Sequence, residues 1–455
     1  MKRPNILLLT ADDMNGDTPG CFGGHPEVTP TIDRLASEGT IFRKAHVAIA
    51  VCQPSRSAIM TGRWPHRNVA EGFGPVNEGV PLLTNLLKEA GYHTGILGKV
   101  THLAPIERFR WDFIRDYQDL CCGRSPDLYG HAVREFITSC EGRPWFLMAN
   151  SHDPHRPFHG SEQALERFDD KELAAIPEPS KVFSTSEVTV PGFLPDLPSV
   201  RQEIAEFHSS SRRCDDAVKE VLGALEECGE GKETLVVFLS DNGMSFPYAK
   251  ANSYLHSTRT PLVVRWPGHI RAGHIDTSSF VSALDLFPTF CEIAGIEVPA
   301  GIDGLALTAT LTGQAESARD HVVTVFHETA KRGRFEMRCI QRGDFGYIWN
   351  GWYDGQTCYG TADNMTGRTW SAMVEAAESN AAIKDRVDFY LRREIEELYD
   401  FSADPDALTN LATDPQHTNT IEALRSELDR WMESVDDPLR GRYLAEVLGV
   451  SGTPR

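Results

Sequence analysis

Short apolar runs that alternate with helical stretches constrain the fold of this chain more than any other feature. The runs rich in β-favouring residues are Asn5–Ala11, Thr94–Gly98, Trp145–Ser151, Thr234–Ser240 and Pro261–Trp266. The stretches with helical periodicity are Thr31–Gly39, Leu82–Gly91, Tyr129–Cys140, Gln202–Cys228 and Ser282–Ala294. Continuous apolar runs are typical of strands that helices cover on both faces. The alternation therefore predicts a doubly wound α/β domain.

The pattern changes after about residue 320, which indicates a second structural unit. Alternating runs predict three antiparallel strands and a later helix, at His321–His327, Met337–Arg342, Gly346–Trp352 and Thr420–Val435. The stretch 153–200 is rich in Pro, Ser and Phe and predicts a long loop over one face of the main sheet. We therefore expect an α/β domain over 1–320 and a smaller α+β subdomain, an antiparallel sheet plus helix, over 321–455.

The charge balance argues against several classes of partner. The 455 residues include 45 Lys plus Arg and 65 Asp plus Glu, a formal net charge of −20. Nucleic acids and anionic membrane surfaces select clustered positive charge, so we expect neither as a partner. The N-terminal apolar run ends at Asp12, too early for a secretory signal, and no run approaches the roughly 20 apolar residues of a membrane span. We expect a cytoplasmic protein as written, and a periplasmic, lysosomal or secreted one if a signal peptide has been removed.

Acidic residues follow two of the predicted strands. Asp12 and Asp13 end the first run, and Asp241 and Asn242 follow the run Thr234–Ser240. Ligands of α/β sheets bind at the carboxyl ends of the strands, where these oxygens would converge. Such a set of oxygens suits Ca²⁺ or Mg²⁺. Acids at strand ends are also common in turns and helix caps, which is the alternative interpretation of either pair alone.

A motif that contains a cysteine carries most of the information about function. The ten cysteines include no CxxC pair, so neither a zinc ribbon nor a small disulfide-rich scaffold is indicated. One of them opens the segment Cys52-Gln53-Pro54-Ser55-Arg56, and the apolar stretch after it ends in Thr61-Gly62-Arg63. This segment resembles the C-x-P-S-R signature, with its trailing T-G-R, of the type I (formylglycine-dependent) sulfatases of the alkaline phosphatase superfamily.

The resemblance implies a fold, a modified residue and a reaction. The implied fold is alkaline-phosphatase-like, a doubly wound mixed sheet flanked by helices. A formylglycine-generating or an anaerobic sulfatase-maturing enzyme would oxidise Cys52 to formylglycine, and the hydrate of that residue would attack sulfur. A geminal diol offers a hard oxygen that a metal can acidify, whereas a thiolate is a soft ligand. The alternative is that Cys52 is a buried structural cysteine.

The resemblance also implies roles for individual residues between residue 5 and about residue 415. The implied ligands of Ca²⁺, with Mg²⁺ as the alternative, are Asp12, Asp13, Cys52, Asp241 and Asn242. The other implied catalytic residues are Arg56, Lys99, His102, His155 and Lys250. The implied substrate-binding residues are Asp153, Arg156 and Arg259. From composition alone, either lysine would be a solvated surface charge and His102 a structural residue.

Several segments are most similar to the sulfamidase (heparan N-sulfatase) branch, which cleaves the N–S bond of terminal N-sulfoglucosamine. These segments are Ser151–Pro157, Ser240–Pro247, Ala283–Pro288, Arg338–Gln341 and Glu397–Pro415. The spacing of His102 from Lys99 departs from that branch, as does a lysine at position 250, so an O-sulfated sugar is the other expected substrate. The expected partner is a sulfated mono- or oligosaccharide processed from one end, as in glycosaminoglycan (heparan sulfate) degradation. A dimer is the expected oligomer.

Two other functions stay open as alternatives. A phosphonate or phosphodiester hydrolase on the same fold would act on esters that share the charge and tetrahedral shape of sulfate. A non-catalytic polyanion-binding pseudoenzyme would leave Cys52 unoxidised. The net charge of −20 disfavours binding along a polyanion, but positive groups focused in one cleft would still admit a small substrate or a chain end.

Overall fold

The computed structural model describes residues 3–314, 319–331 and 333–450. Its larger sheet has eight strands, namely β1 (Asn5–Asp12), β2 (Thr40–His46), β3 (His93–Leu97), β4 (Phe113–Arg115), β5 (Trp145–Pro154), β6 (Thr234–Ser240), β7 (Leu262–Arg265) and β8 (His274–Ser282). The strands lie side by side in the order β4-β3-β5-β1-β6-β7-β2-β8. Neighbours are parallel, except that β7 is antiparallel to both β6 and β2. The expected mixed, doubly wound sheet is confirmed.

Helices occupy the connections between these strands and the stretch that follows β8. They are α1 (Pro30–Ser37), α2 (Cys52–Thr61), α3 (Pro65–Asn68), α4 (Leu83–Glu89), α5 (Pro126–Ser139), α6 (Glu162–Arg167), α7 (Asp170–Ala175), α8 (Pro198–Glu227), α9 (Leu255–Thr258), α10 (Leu286–Ile293) and α11 (Thr308–Leu311). The stretch expected as a loop contains α6 and α7, because side-chain caps from Ser161 and Asp169 start these short helices. Within the described ranges, no helix combines the length and the apolar character needed to cross a membrane.

Strand β1 lies at the centre of the sheet because both of its faces are apolar. All eight of its residues are buried. Ile6 and Leu8 pack in one cluster with residues of α4 and α10, whereas Leu7 and Leu9 pack in another with residues of α5 and α8. Successive side chains of a strand point to opposite faces, so a continuous apolar run is what a sheet covered on both sides requires.

The C-terminal part of the chain forms a second sheet. Its elements are β9 (His321–Glu328), β10 (Arg334–Arg342), β11 (Phe345–Asn350), α12 (Ala362–Met365), α13 (Arg368–Ala377), α14 (Ala381–Arg392), β12 (Glu396–Asp400), α15 (Thr418–Ser434) and α16 (Arg440–Glu446). The four strands are antiparallel, in the order β12-β11-β10-β9. The predicted strands and the predicted helix are confirmed, while the sequence pattern does not predict β12, α13 or α14.

Apolar contacts join the two parts across the expected boundary at residue 320. One buried cluster contains Phe158 and Phe246 from the first part together with Trp349 from the second. Ile49 also forms a β-bridge with Val325 of β9. The second sheet therefore packs directly against the first part. The domain boundary at residue 320 stays a prediction.

Candidate active site

Helix α2 begins at Cys52 and holds this residue beside the carboxyl ends of the central strands. All ten residues of α2 are buried, and Cys52 is 2% exposed. The helix ends at Thr61 and is followed by Gly62, whose φ of 63° is a left-handed conformation. A Cβ at this position would lie 2.9 Å from side-chain atoms of Phe287 and Ile302, so glycine is required. The T-G-R part of the motif therefore ends the helix that carries the candidate nucleophile.

Arg56 connects α2 to three strands of the sheet. Its side chain is fully buried, and Nη2 lies 2.7 Å from Oδ2 of Asp241, directly after β6. Nη1 donates to Oγ1 of Thr10 in β1 at 2.8 Å and to Oδ1 of Asn150 in β5 at 2.6 Å. A buried guanidinium requires such partners because an unpaired buried charge is strongly destabilising. The motif predicts Arg56, whereas no sequence signal indicates Thr10 or Asn150.

Two lysines flank the site and pair with the two acids at the end of β1. Nζ of Lys250 is fully buried, 2.7 Å from Oδ1 of Asp13 and 3.5 Å from Sγ of Cys52. Lys99, which follows β3, forms an ion pair with Oδ2 of Asp12. The two lysines predicted from motif spacing therefore lie in one cluster with Cys52 and the predicted metal ligands.

The oxygens that meet at this edge of the sheet suit a hard divalent cation. Oδ1 of Asp12 and Oδ1 of Asn242 are buried and have no hydrogen-bond partner in the described part of the chain. The ligand atoms of Asp12, Asp13, Cys52 and His155 all lie within 4.8 Å of one another. Burying an oxygen without a partner is costly, and carboxylate and amide oxygens are the ligands that Ca²⁺ and Mg²⁺ prefer. The donor set therefore fits the expected cation.

Asp241 and His155 add detail to the predicted ligand set. Asp241 pairs with Arg56 through Oδ2, and its Oδ1 accepts the backbone N–H of Asp13 at 3.2 Å. His155 approaches the same acid, with Nε2 3.9 Å from Oδ2 of Asp13. Asp241 thus lies against the acids of β1 while it neutralises a buried arginine, and a histidine predicted only as a proton donor joins the cluster.

Burial shifts the titration of several groups in the site. It raises the pKa of Asp241 to about 7, against the attraction of Arg56. Burial also opposes ionisation of Asp12, but Lys99 and the other nearby cations hold the pKa of Asp12 well below its usual value. For Cys52, burial raises the pKa of the thiol well above its usual value. An unmodified Cys52 is therefore a protonated thiol, which is a poor nucleophile.

A cavity of about 330 Å³ opens next to this cluster. Its lining includes Lys99, His102, Asp116, His155, Arg156 and Arg167. Lys99 and His155 belong both to this lining and to the cluster around Cys52. Burial lowers the pKa of both His102 and His155. The volume is at the small end of the range for ligand pockets, which suits a substrate of about one sugar unit.

Asp153 does not face this cavity as a free carboxylate. It is 1% exposed and forms an ion pair with Arg124, and Nε of Arg213 lies 2.7 Å from its Oδ2. This corrects the expectation that Asp153 contacts the sugar, because its carboxylate is already paired with two guanidinium groups. Sequence reasoning misses both arginines because they come from segments far from Asp153 in the chain.

The two arginines expected to bind substrate have different positions. Arg156 lines the cavity, and its Nη1 is 2.5 Å from Oε1 of Glu203. Arg259 lies outside the cavity lining and pairs with Asp17 at 3.4 Å. The structure therefore brings Arg156 to the candidate site and does not bring Arg259 there.

Comparisons with known proteins identify the family of this chain. A family model described as "Sulfatase" matches residues 4–296, and one described as "N-sulphoglucosamine sulphohydrolase, C-terminal" matches residues 246–349. N-sulphoglucosamine sulphohydrolase of Homo sapiens is 33% identical over 95% of this chain and 91% of its own length. A Delta 4,5-hexuronate-2-O-sulfatase of Bacteroides thetaiotaomicron is 26% identical over 96% of this chain and 91% of its own length.

A solved structure shows the same fold with a sugar bound. The protein in that structure, in complex with its substrate D-glucosamine-2-N,6-O-disulfate, matches with a TM-score of 0.70 and 20% identity over 96% of this chain and 99% of that one. The fold class expected from the sequence is thereby confirmed. The chain belongs to the sulfatase family, is similar within it to the sulfamidases, and is a hydrolase of sulfate esters or sulfamates.

Proposed function

We propose that this protein releases sulfate from an N-sulfoglucosamine unit at the end of a saccharide by cleaving its N–S bond. One observation carries the proposal: the cysteine of a sulfatase signature lies buried beside Lys250 and the acids of β1, next to a cavity of about 330 Å³. The similarity to human N-sulphoglucosamine sulphohydrolase over 95% of the chain supports a sulfamate as the substrate.

Residue 52 would act as formylglycine rather than as cysteine. Hydrated formylglycine supplies an oxygen nucleophile for sulfur, which a buried protonated thiol does not. Cys52 is 2% exposed in the folded chain, so a maturing enzyme must reach the segment 52–63 before this part of the chain folds. A formylglycine-generating or an anaerobic sulfatase-maturing enzyme is therefore the required protein partner.

The cation would be Ca²⁺, with Mg²⁺ as the alternative, held by Asp12, Asp13, Asp241, Asn242 and residue 52. When bound, it would supply the positive charge that acidifies an oxygen nucleophile and neutralises the sulfate. The carboxylate of Asp241 is held in place by Arg56 at 2.7 Å, and this guanidinium is itself fixed by hydrogen bonds to β1 and β5. The chain thus orients the ligand set before any substrate arrives.

Side chains of the site would handle the sulfate and the leaving group. Lys99 and Lys250 lie against the acids of β1 on either side of the cluster and would donate hydrogen bonds to sulfate oxygens. His155 is 34% exposed in the cavity wall, and its ring is oriented by a 2.5 Å hydrogen bond between Nδ1 and the carbonyl oxygen of Arg156. In its protonated form, which Asp13 at 3.9 Å favours against the effect of burial, it would donate a proton to the departing nitrogen. His102, in the same wall, would contact the sulfate or the leaving group.

The site suits a chain end better than the interior of a polymer. The cavity has room for about one sugar unit, and the protein as a whole carries a net charge of −20. The negative net charge repels a long sulfated chain, while the lysine, arginine and histidine side chains of the cavity wall offer hydrogen-bond donors to a single terminal unit. Exo-acting hydrolysis follows from this distribution of charge.

A sulfate ester is the second candidate substrate. His102 follows Lys99 by three residues, a spacing that departs from the sulfamidases, and the relative that is 26% identical is named as a 2-O-sulfatase. The same nucleophile would attack sulfur in either case, and only the leaving atom would change from nitrogen to oxygen. The choice between N- and O-sulfate therefore depends on how the cavity orients the sugar.

The experiment compares sulfate release from N-sulfoglucosamine, from O-sulfated glucosamines and from an aryl phosphodiester, using protein co-expressed with a maturing enzyme. We expect the highest kcat/KM for N-sulfoglucosamine. Cys52→Ala should abolish release, whereas Cys291→Ala, which alters an equally buried cysteine in α10, should retain it. A preference for the phosphodiester would contradict the proposal, as would saccharide binding without turnover by fully matured protein.

A further inference from the structure

The outer wall of the cavity contains a charged side chain that the proposed reaction does not use. This wall is formed by the end of α6 and by the segment 116–124. Arg167 is the last residue of α6, is exposed, and lines the cavity together with Asp116 and Tyr117. In the part of the chain that the structure describes, Arg167 has no ion pair and no hydrogen bond from its side chain.

Arg167 differs in this respect from the other cations of the same cavity. Those cations are neutralised in the pairs Lys99–Asp12, Arg124–Asp153 and Arg156–Glu203. The one carboxylate in the lining, Asp116, accepts the backbone N–H of Val100 at 3.4 Å and forms no ion pair within the described residues. Of the lysines and arginines that line the cavity in the described part of the chain, Arg167 is therefore the one whose charge no ion pair neutralises.

The backbone of Arg167 is anchored, which keeps the base of its side chain at the cavity wall. Ser161 caps the start of α6 with its side chain, and Gln163 donates from Nε2 to the carbonyl oxygen of Thr366 at 2.6 Å. Phe168, the next residue, is buried with its ring 5.7 Å from the guanidinium carbon of Arg124. The helix end is thus fixed on both sides.

We infer that Arg167 binds a second anionic group of the substrate while the sulfate to be removed lies against residue 52; this rests on the proposed function. A guanidinium is planar and always charged, and its fork of donors matches the oxygens of a sulfate or a carboxylate. Arg167 lines a cavity with room for about one sugar unit, so a second anionic group on that unit or on its neighbour would meet the unpaired guanidinium. The favoured substrate class is therefore a saccharide with at least two anionic groups.

Two sources of the second anion are compatible with this chemistry, a further sulfate on the same sugar and the carboxylate of a neighbouring uronic acid. The experiment measures kcat/KM of the matured enzyme for N-sulfoglucosamine, for D-glucosamine-2-N,6-O-disulfate and for a disaccharide of N-sulfoglucosamine with a uronic acid. The variants are Arg167→Gln and Arg167→Lys. The matched control is Arg271→Gln, an exposed arginine beside Thr40 at the opposite edge of the sheet.

We expect the wild-type enzyme to prefer one of the doubly charged substrates. Arg167→Gln should lower kcat/KM for that substrate at least about fivefold, the effect of a charge-assisted hydrogen bond discounted for partial exposure. N-sulfoglucosamine should change by less than about twofold, and Arg167→Lys should retain part of the preference. The doubly charged substrate whose kcat/KM falls in Arg167→Gln identifies the source of the second anion. Arg271→Gln should change none of the three values.

An equal effect of Arg167→Gln on all three substrates, or no effect on any, would overturn the inference. So would a wild-type enzyme that prefers the singly charged sugar. Absence of sulfate release from every substrate by fully matured wild-type protein would instead contradict the proposed function, and the inference with it. The two failures are therefore distinguishable.

Discussion

At the residue scale, the site is organised by buried ion pairs rather than by single charges. Arg56 pairs with Asp241, and Lys250 pairs with Asp13, all with fully buried side chains. Desolvation of each ion is costly, so each requires its partner, and removing one partner leaves an uncompensated charge. A second layer, in which Asp153 is bound by two arginines, follows the same rule.

The Asp153 pair gives a prediction about stability. Asp153→Asn should lower the free energy of unfolding by about 3 kcal/mol, because Arg124 and Arg213 would lose a buried counter-ion. Burial opposes ionisation of Asp153, but the two arginines hold its pKa below the usual 3.8. A lowered pKa stabilises the folded state above pH 3.8, and that stabilisation is lost as the pH falls further. Urea unfolding at pH 7 and at pH 3 measures both effects.

The matched control is Asp127→Asn, which alters an exposed acid in the first turn of α5. It should change the unfolding free energy by less than about 1 kcal/mol at either pH. Equal losses in the two variants would contradict the account of Asp153. So would a stability difference between Asp153→Asn and wild type that grows as the pH is lowered.

Site residues that belong to a known motif can be predicted from the sequence. Residues that reach the site only through tertiary packing cannot. The signature predicts Cys52 and Arg56, and both lie in the site. The partners that hold the predicted residues, such as Asn150 and Arg213, belong to no local pattern, because distant segments become neighbours only in the folded chain. The sequence neighbours of Asp153 belong to the site, which led to the expectation that Asp153 binds sugar. Its partners Arg124 and Arg213 are distant in the sequence, so the ion pairs could not be predicted.

At the scale of elements, the segment that carries Lys250 is held by the C-terminal part of the chain. The carbonyl oxygen of Lys250 accepts a hydrogen bond from Nδ2 of Asn364 in α12 at 2.7 Å. The carbonyl oxygen of Ala251 accepts one from the hydroxyl of Tyr359 at 2.5 Å. Ala251 has a φ of 57°, an uncommon conformation for a residue with a side chain. The second sheet and its helices thus support the position of a candidate catalytic lysine.

Asn364→Ala should therefore reduce turnover more than substrate binding. A shift of the Lys250 segment would misplace its Nζ, and we expect kcat to fall about tenfold with KM changed by less than about twofold. Steady-state kinetics on N-sulfoglucosamine, with thermal unfolding as a companion measurement, tests this expectation.

The control for this variant is Asn410→Ala, which removes a hydrogen bond to the carbonyl oxygen of Glu396, away from Lys250. It should lower stability without a comparable loss of kcat. If the two variants lose kcat in parallel with their unfolding temperatures, Asn364 supports the fold in general and not Lys250 in particular.

Strands buried on both faces are the elements that the sequence predicts best. β1 and β6 are continuous apolar runs, and their ends differ from the prediction by at most one residue. The direction of β7 does not follow from its run Leu262–Arg265, because an antiparallel neighbour presents the same apolar pattern as a parallel one. β8 is missed because its residues from His274 to Ser278 are polar or partly exposed.

At the scale of the whole molecule, three buried carboxylates of the site destabilise one another unless cations are present. Asp12, Asp13 and Asp241 meet at one edge of the sheet, and Lys99, Lys250 and Arg56 pair with them one to one. These pairs leave Oδ1 of Asp12 and Oδ1 of Asn242 buried without a hydrogen-bond partner in the described part of the chain, where a cation would compensate them. We therefore expect Ca²⁺ to stabilise the folded protein. At a hundredfold excess over the dissociation constant the gain is about 2.7 kcal/mol in the free energy of unfolding.

Thermal unfolding in chelator, in Ca²⁺ and in Mg²⁺ measures this gain. The variant with Asp12→Asn and Asp13→Asn should lose the response to Ca²⁺, whereas a variant with Asp127→Asn should keep it. An unfolding temperature of the wild type that is the same in chelator and in Ca²⁺ would contradict the proposed cation site. A response of equal size in the double variant would show that Ca²⁺ binds elsewhere.

The central claim is that residue 52 acts as formylglycine, and mass spectrometry of the peptide that contains it tests the claim most directly. Preparations made with different amounts of maturing enzyme will differ in the fraction of residue 52 that carries an aldehyde. We predict that the rate of sulfate release rises in proportion to this fraction and is zero where Cys52 is unmodified. Full activity in protein whose residue 52 is an intact thiol would contradict it.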